Sequence, residues 1–523
     1  MKNSLKLLGV VGVFCTVSFG CSCTSYRSST AFQEVVDYYD RPEDSLKKSA
    51  AEFLQRYAGY HYGVPRHLTD SAGHRVYVMH PEDFPTDTAY RKFLDARGYR
   101  YHTGEAVPDE EAVSREFLTE NIELAFDAWR NPWARHVPFD VFCRYILPYR
   151  NADEELSDWR RYFKEKYEPT IRDSVGGDTA SARQVALYLM RRLRQELAYG
   201  TRLRDFYTNF LTPEESRLMH TMECRGLAHY GTLALRACGV PCAMIQIGWR
   251  FTDIAHSTIY IPALQGDTAG CRLSLYDELL PMQADKDSMA SWRTWRYAYE
   301  ANPDLVALSE DPEVPPLYYE PVTRMDETAR FSKAFSFSLP LPAEGRGKKH
   351  LFLCRFVNWK WLPVREGSVE GDSVRFKDAS IRQWYRLAAM EGDSLRAFGG
   401  TFTLTGQGDI RKYDCTGDTV LFKMVYGCTP DERRLTREVT TYYWGAGNDW
   451  VPLTLPAVLW GFNEATGEYR IFEESLRGTF KPVFHLLQTH LPCYTVFFDN
   501  ETPRPLGFLI RDEESGEGYF MQF

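Results

Sequence analysis

Cys224, His256 and Asp277 follow one another in that order within one short stretch of the chain. A cysteine attacks a carbonyl as the thiolate, or as a thiol that gives up its proton during attack. An imidazole can take that proton, and a carboxylate can hold the imidazole in the right tautomer and orientation. The chemistry open to such a set is acyl transfer through a thioester. Each residue also has a plainer reading. Buried cysteine is commonly a small hydrophobe, and Cys238, Cys242 and Cys271 read that way. A lone histidine is more often a core or surface residue, and a lone aspartate a turn or cap. Two other histidines compete as the base. His229 falls five residues after Cys224 on the same predicted helix, which turns it away from the cysteine. His220 lies just upstream and stays open.

The elements that must carry these residues are legible nearby. Cys224 to Cys238 has Leu227, Gly231, Ala234, Leu235 and Cys238 on one helical face, with Gly239 as its C-terminal stop and Pro241 beyond. Cys224 therefore opens a helix, where free N–H groups favour thiolate. Strand-like runs follow at Cys242 to Trp249, Ser257 to Leu264 and Cys271 to Leu279. His256 starts the second and Asp277 lies near the end of the third. A helix followed by antiparallel-looking strands reads as an α+β unit.

Upstream, the spacing predicts helices over Leu46 to Tyr57, Glu110 to Trp129, Ala152 to Tyr167 and Ala180 to Leu197, the last opened by Asp178-Thr179, and a small insertion around Arg75 to Phe84. Downstream, Ser288 to Ala301 reads as helix, followed by a connector with Pro303, Pro312, Pro315 and Pro316. From about 331 onward, short strand signals alternate with Gly, Asp and Asn turns, the pattern of one or two β-sandwich domains.

The stretch from Glu223-Cys224 through Gly231 to Ala243 ("GTLALRACGVPCA"), His256-Ser257 and Tyr276-Asp277 resembles the transglutaminase-like core of the papain-like cysteine superfamily. Residues 121–133 and Phe139 to Arg150 ("FDVFCRYILPYR") resemble the helical region of transglutaminase-like lipoproteins of Bacteroidetes. The resemblance covers roughly residues 31 to 285. It implies a papain-like fold with Cys224 as nucleophile, His256 as general base and acid, and Asp277 as its orienter. It implies action on amide or peptide bonds, with hydrolysis favoured over acyl transfer to an amine. Three positions depart from the family pattern: Met222, Arg225 and Thr258. Met222 and Thr258 reshape the substrate cleft, and Arg225 would sit beside a thiolate.

The N-terminus adds an address. Lys2 and Lys6 precede the apolar run Leu7 to Phe19, which at ~1.5 Å per residue is too short for a bilayer core of ~30 Å and reads as a signal peptide. It ends in Ser18-Phe19-Gly20-Cys21, which resembles a lipobox and makes Cys21 the expected lipidation site; an ordinary secretory signal is the alternative. The implied location is the cell envelope, at the outer membrane. The expected organisation is signal peptide 1–20, helical region 21–205, transglutaminase-like core 206–330, a β-sandwich-like domain 331–430 and a second β-rich domain 431–523.

Across 523 residues, 62 basic and 71 acidic residues give a net charge of -9, with 44% apolar and 25% charged. That composition excludes a disordered chain, a collagen-like fibre and a polytopic membrane protein, and argues against nucleic acid as a partner. Twelve cysteines are too sparse for a disulfide scaffold. No C-x-x-C pair, H-E-x-x-H, P-loop or dinucleotide fingerprint occurs, so neither metal nor cofactor is expected. The expected partner is a peptide, protein or glycan-linked amide substrate. A second reading is a non-catalytic lipoprotein that binds glycan or protein through its β-domains, with Trp359, Trp361, Trp384, Trp444, Trp450 and Trp460 as stacking candidates; most of these also read as core.

Overall fold

A computed structural model describes residues 30–76, 84–176, 179–199, 210–219, 221–248, 255–264, 270–273, 279–281, 291–357, 360–381, 383–413 and a set of strands between 419 and 522. The expected lipidation site Cys21, together with His220, Asp277 and Trp359, lies outside the described residues. The fold is mixed α+β.

The N-terminal half is helical. Helices α1 (Thr30–Tyr38) and α2 (Ser45–Tyr57) are followed by a small antiparallel sheet of β1 (Arg66–Thr69), β2 (Arg75–Val76) and β3 (Arg100–Thr103), where the insertion is expected. Then come α3 (Arg115–Trp129), α4 (Trp159–Ser174), α5 (Ala182–Glu196) and α6 (Cys224–Ala237). Phe32, Val35, Ala50, Leu54, Ile122, Phe126 and Phe142 bury one core between α1, α2 and α3. Each large apolar side chain so buried contributes about 1.5–3 kcal/mol. Phe163, Tyr167, Val185, Leu189, Leu233 and Ala234 bury a second core around α4, α5 and α6.

Several helix boundaries differ from expectation, each for a local reason. The helix expected from Glu110 breaks at Val113, because the Ser114 side chain accepts from Phe117 N at 3.1 Å and restarts it. The helix expected from Ala152 starts only at Trp159. The Glu154 carboxylate takes the N–H groups of Asn151 and Ala152 at 2.6 and 2.7 Å, and the Asp153 carbonyl takes that of Val64. Those donors are thereby held in an irregular turn. Helix α5 is capped by Ser181, in a capping box with Gln184, rather than by Asp178-Thr179.

A six-stranded antiparallel sheet follows, in the order β7-β6-β5-β4-β8-β9: β4 (Ala243–Gly248), β5 (Ala255–Ile261), β6 (Cys271–Leu273), β7 (Leu279–Pro281), β8 (Thr294–Tyr297) and β9 (Arg324–Asp326). The helix expected over Ser288 to Ala301 is absent from the described part of that span. Thr294-Trp295-Arg296-Tyr297 forms a strand instead, paired with Ile247, Gln246 and Ile245 on one side and Met325 on the other. β-Branched and aromatic residues suit a pleated, buried surface, and the buried Arg296 meets Glu327 there at 2.9 Å.

Residues 334–413 form one seven-stranded antiparallel sheet in the order β10-β13-β12-β11-β14-β15-β16: β10 (Ala334–Pro340), β11 (Leu351–Val357), β12 (Lys360–Glu370), β13 (Ser373–Ser380), β14 (Trp384–Glu391), β15 (Ser394–Leu404) and β16 (Ile410–Tyr413). Its first strand, β10, curls back toward β15 near the other end of the sheet. The Phe337 and Phe402 rings stand 5.9 Å apart, and both pack on the single core of Leu351, Leu353, Phe376 and Leu404. Strong twist and curl let this one sheet bury its own face. The strand Lys360–Glu370 is not among the expected ones. Its opposite face meets the preceding unit, with Phe352, Cys354 and Ala388 packing on Trp295, Leu305 and Tyr318. A further seven-stranded sheet is built from strands between Thr419–Tyr426 and Gly518–Gln522.

Candidate active site

Cys224 is the first residue of α6, and Glu223 is its N-cap, without a side-chain capping bond. Helix α6 runs against β5 through a close approach at Gly231. A Cβ there would lie 2.8 Å from Ile259 Cδ1 and 3.3 Å from Met190 Sδ, which only glycine avoids. Gly239 ends the helix at φ +79°, where a Cβ would meet the Ala128 carbonyl oxygen at 2.3 Å. The indole N–H of Trp133 donates to the Cys238 carbonyl at 2.7 Å, which satisfies one of the end carbonyls.

Buried polar groups fix this helix to the rest of the chain. Arg236, 2% exposed, donates to the carbonyls of Arg150 and Cys242 at 3.1 and 3.2 Å. Arg160 donates to the Ile146 carbonyl at 2.8 Å and to Asn121 Oδ1 at 2.8 Å. Arg150 in turn pairs with Asp109, which also accepts from the Tyr149 hydroxyl at 2.9 Å. Both members of that ion pair are dry, with side chains 1% and 0% exposed.

At the N-terminal end of α6 the sulfur of Cys224 lies against the main-chain N–H of Ser257, the residue after His256. Burial pushes the thiol above its ordinary value. The Ser257 N–H, Arg225 and the helix N–H of Arg225 act in the opposite direction, while Glu223 adds to the rise. The group is therefore a thiol at neutral pH. His256 opens β5 opposite Ile247. Burial first, and then the Arg272 guanidinium, push its imidazole down to about 4, so it is neutral at pH 7. Burial also lowers the pKa of Arg272. A neutral imidazole is the form that accepts a proton.

Strand alternation sorts the side chains along β5. Ile259 and Ile261 belong to the core under α6, so Ser257 shares that face. Tyr260 belongs to the opposite cluster, with Ile245 and Ile247, and β6 places Arg272 across from Tyr260. His256 takes that second face. The imidazole and the Cys224 sulfur therefore start from opposite faces of β5.

Among the described residues Cys224 is the half-buried free cysteine; Cys143, Cys238, Cys242, Cys271 and Cys354 are buried. Burial pushes the Cys143 and Cys242 thiols up to about 12. His229 is sealed in the core. It is 1% exposed, meets Asn151 Nδ2 at 3.2 Å and the Phe210 ring, and burial lowers its pKa. That matches the expectation that it turns away from Cys224. Sequence reasoning misses Ser257 and Arg272; adjacency to His256 is the available signal for the first, and nothing local marks the second.

An open groove of about 650 Å³ lies elsewhere, between α1, α3 and α4, lined by Tyr38, Arg115, Glu120, Glu123 and Arg161. Among the described residues no group of three or more His, Cys, Asp or Glu could hold a metal ion, and no helix is long and apolar enough to cross a membrane. Compared with known proteins, the chain matches no family model and no curated protein sequence.

Proposed function

We propose that this protein is a transglutaminase-like cysteine enzyme acting on amide or peptide bonds in the cell envelope. The observation that carries the reading is the half-buried Cys224 at the start of α6, with its sulfur on the N–H of the residue next to His256. A helix packed on an antiparallel sheet, with Cys224 at the helix start and His256 on the strand that α6 packs against, supports that reading.

Thiol and imidazole both start neutral. The proposed mechanism requires the His256 imidazole to swing past the start of β5 to the sulfur; there it takes the thiol proton as Cys224 Sγ attacks the carbonyl carbon, and Asp277 orients the imidazole. The tetrahedral intermediate collapses when the imidazolium returns that proton to the departing amine, leaving a thioester. Water, activated by the again neutral imidazole, releases the acid and restores the thiol. An amine in place of water would give transfer, and hydrolysis is the favoured outcome. Cys21 would carry a lipid that tethers the enzyme at the outer membrane, with the β-rich units after 331 as sandwich-like accessory domains.

A second reading draws on one observation. The described charged neighbour that shifts His256 is a cation, Arg272, which disfavours an imidazolium. That suits a non-catalytic glycan- or protein-binding lipoprotein with a degenerate core. An electrophilic acyl probe separates the two. The enzyme reading expects Cys224 to label faster than free cysteine at pH 7, with labelling lost in Cys224→Ala and strongly reduced in His256→Ala. Labelling no faster than free cysteine would sink it.

A further inference from the structure

The Ser257 side chain is 1% exposed, and its Oγ has no hydrogen-bond partner among the described residues. A buried hydroxyl without a partner costs free energy unless something at the site uses it. Its main-chain N–H already touches the sulfur of Cys224. Covalent geometry keeps a serine Oγ within roughly 3–4 Å of its own nitrogen, and χ1 rotates freely among three wells. The side chain also takes the β5 face that carries Ile259 and Ile261 against α6, so it points to the same side as the helix whose first residue is Cys224.

We infer that Ser257 is a positioning residue that donates twice to the Cys224 sulfur as it becomes thiolate, through its N–H and through its Oγ–H. With a neutral thiol the hydroxyl has little to bond, which accounts for its lack of a partner; once the proton leaves, it faces an anion. Among the described residues, the charged groups that act on that sulfur are Glu223 and Arg225 from its own helix end, while His256 and Arg272 from β5 and β6 lie on the opposite face of the sheet. None of these replaces a hydroxyl donor on the α6 face of β5. This inference deepens the proposed function and rests on it only insofar as Cys224 must ionise to act.

The test is the pH dependence of iodoacetamide alkylation of Cys224 in the full chain, read by mass spectrometry of the Cys224 peptide. Loss of one charge-assisted donor should lower the alkylation rate at pH 7 about tenfold in Ser257→Ala, a rise of one unit in the thiol's pKa, or about 1.4 kcal/mol. Ser257→Thr, which keeps a hydroxyl, should recover most of the rate. Ser257→Gly should match Ser257→Ala. Urea midpoints of all three, close to that of the parent chain, show that each has folded. An alkylation profile of Ser257→Ala that overlays the parent's would overturn the inference, because a merely structural hydroxyl leaves the thiol untouched. An acyl probe that fails on the parent chain, while Ser257→Ala still shifts alkylation, would instead refute the enzyme reading and leave the donor role standing.

Discussion

His256 is the most informative group to perturb, because its imidazole is held at about 4 against an ordinary 6.5. Each unit corresponds to about 1.4 kcal/mol, so burial and Arg272 together disfavour the imidazolium by about 3 kcal/mol. The unfolded chain binds a proton at His256 below about pH 6.5, and the folded chain only below about pH 4. Stability from this group is therefore complete above about pH 6.5, declines as pH falls, and is wholly lost below about pH 4. At pH 5 the loss is about 2 kcal/mol relative to pH 7.5. Burial lowers the pKa of other histidines too, His61 and His229 among them, so they also cost stability as pH falls. The clean quantity is therefore a difference of differences between the parent chain and His256→Gln, from urea unfolding of the α6–β5 unit at the two pH values. The parent should lose about 2 kcal/mol more than the variant. Histidine ¹³Cε1 NMR gives the same answer directly: one resonance, absent in His256→Gln, should titrate near pH 4. Equal losses, or a midpoint near 6.5, would refute a dry imidazole held down by burial and Arg272.

Further outcomes are expected from the surrounding scaffold. Asp109→Ala strands the buried Arg150 charge and should cost about 3–5 kcal/mol by urea unfolding; a loss near the ~0–1 kcal/mol of a surface pair would show that the pair is wet. Gly239→Ala must take φ +79° and drive its Cβ to 2.3 Å from the Ala128 carbonyl, so it should lower the melting temperature sharply or prevent soluble expression, whereas Gly371→Ala, with open space around it, should cost far less. His350 sits between Asp311 Oδ2 at 3.1 Å and Glu366 Oε1 at 2.5 Å. Burial works against its charge, yet the two carboxylates raise its pKa above 6.5. Its stabilising effect is thus fully present below about pH 6.5 and lost as pH rises through the higher folded value, the opposite sign to His256. His350→Gln should flatten that part of the stability profile.

Local chemistry is enough to make α6 legible. An apolar face at helical spacing, with Gly239 in a conformation other residues avoid and Pro241 beyond it, marks the helix that carries Cys224 and determines where it stops. The strands at Ala243–Gly248 and Ala255–Ile261 are legible for the same reason, since their apolar runs are short and bounded. Thr294–Tyr297 is not, because two arginines flank or interrupt its aromatics and their partners, Asp326 and Glu327, are brought up only by the fold. Lys360–Glu370 is hidden by Pro363 and Gly367. The glycine is there because a Cβ would meet Val374 Cγ2 at 2.5 Å and Phe376 Cε1 at 2.6 Å, a contact made by chain folding alone.

The candidate site divides in the same way. The sequence by itself determined that a cysteine opens a helix and that a histidine starts a strand soon after, because capping, periodicity and turn chemistry are local. Tertiary structure alone decided that the sulfur rests on the Ser257 N–H, that Arg272 bears on His256 and that the Cys224 thiol and the His256 imidazole are both neutral at pH 7. Those properties depend on which groups exclude water and which charges end up within a few ångströms, and no spacing along the chain encodes either.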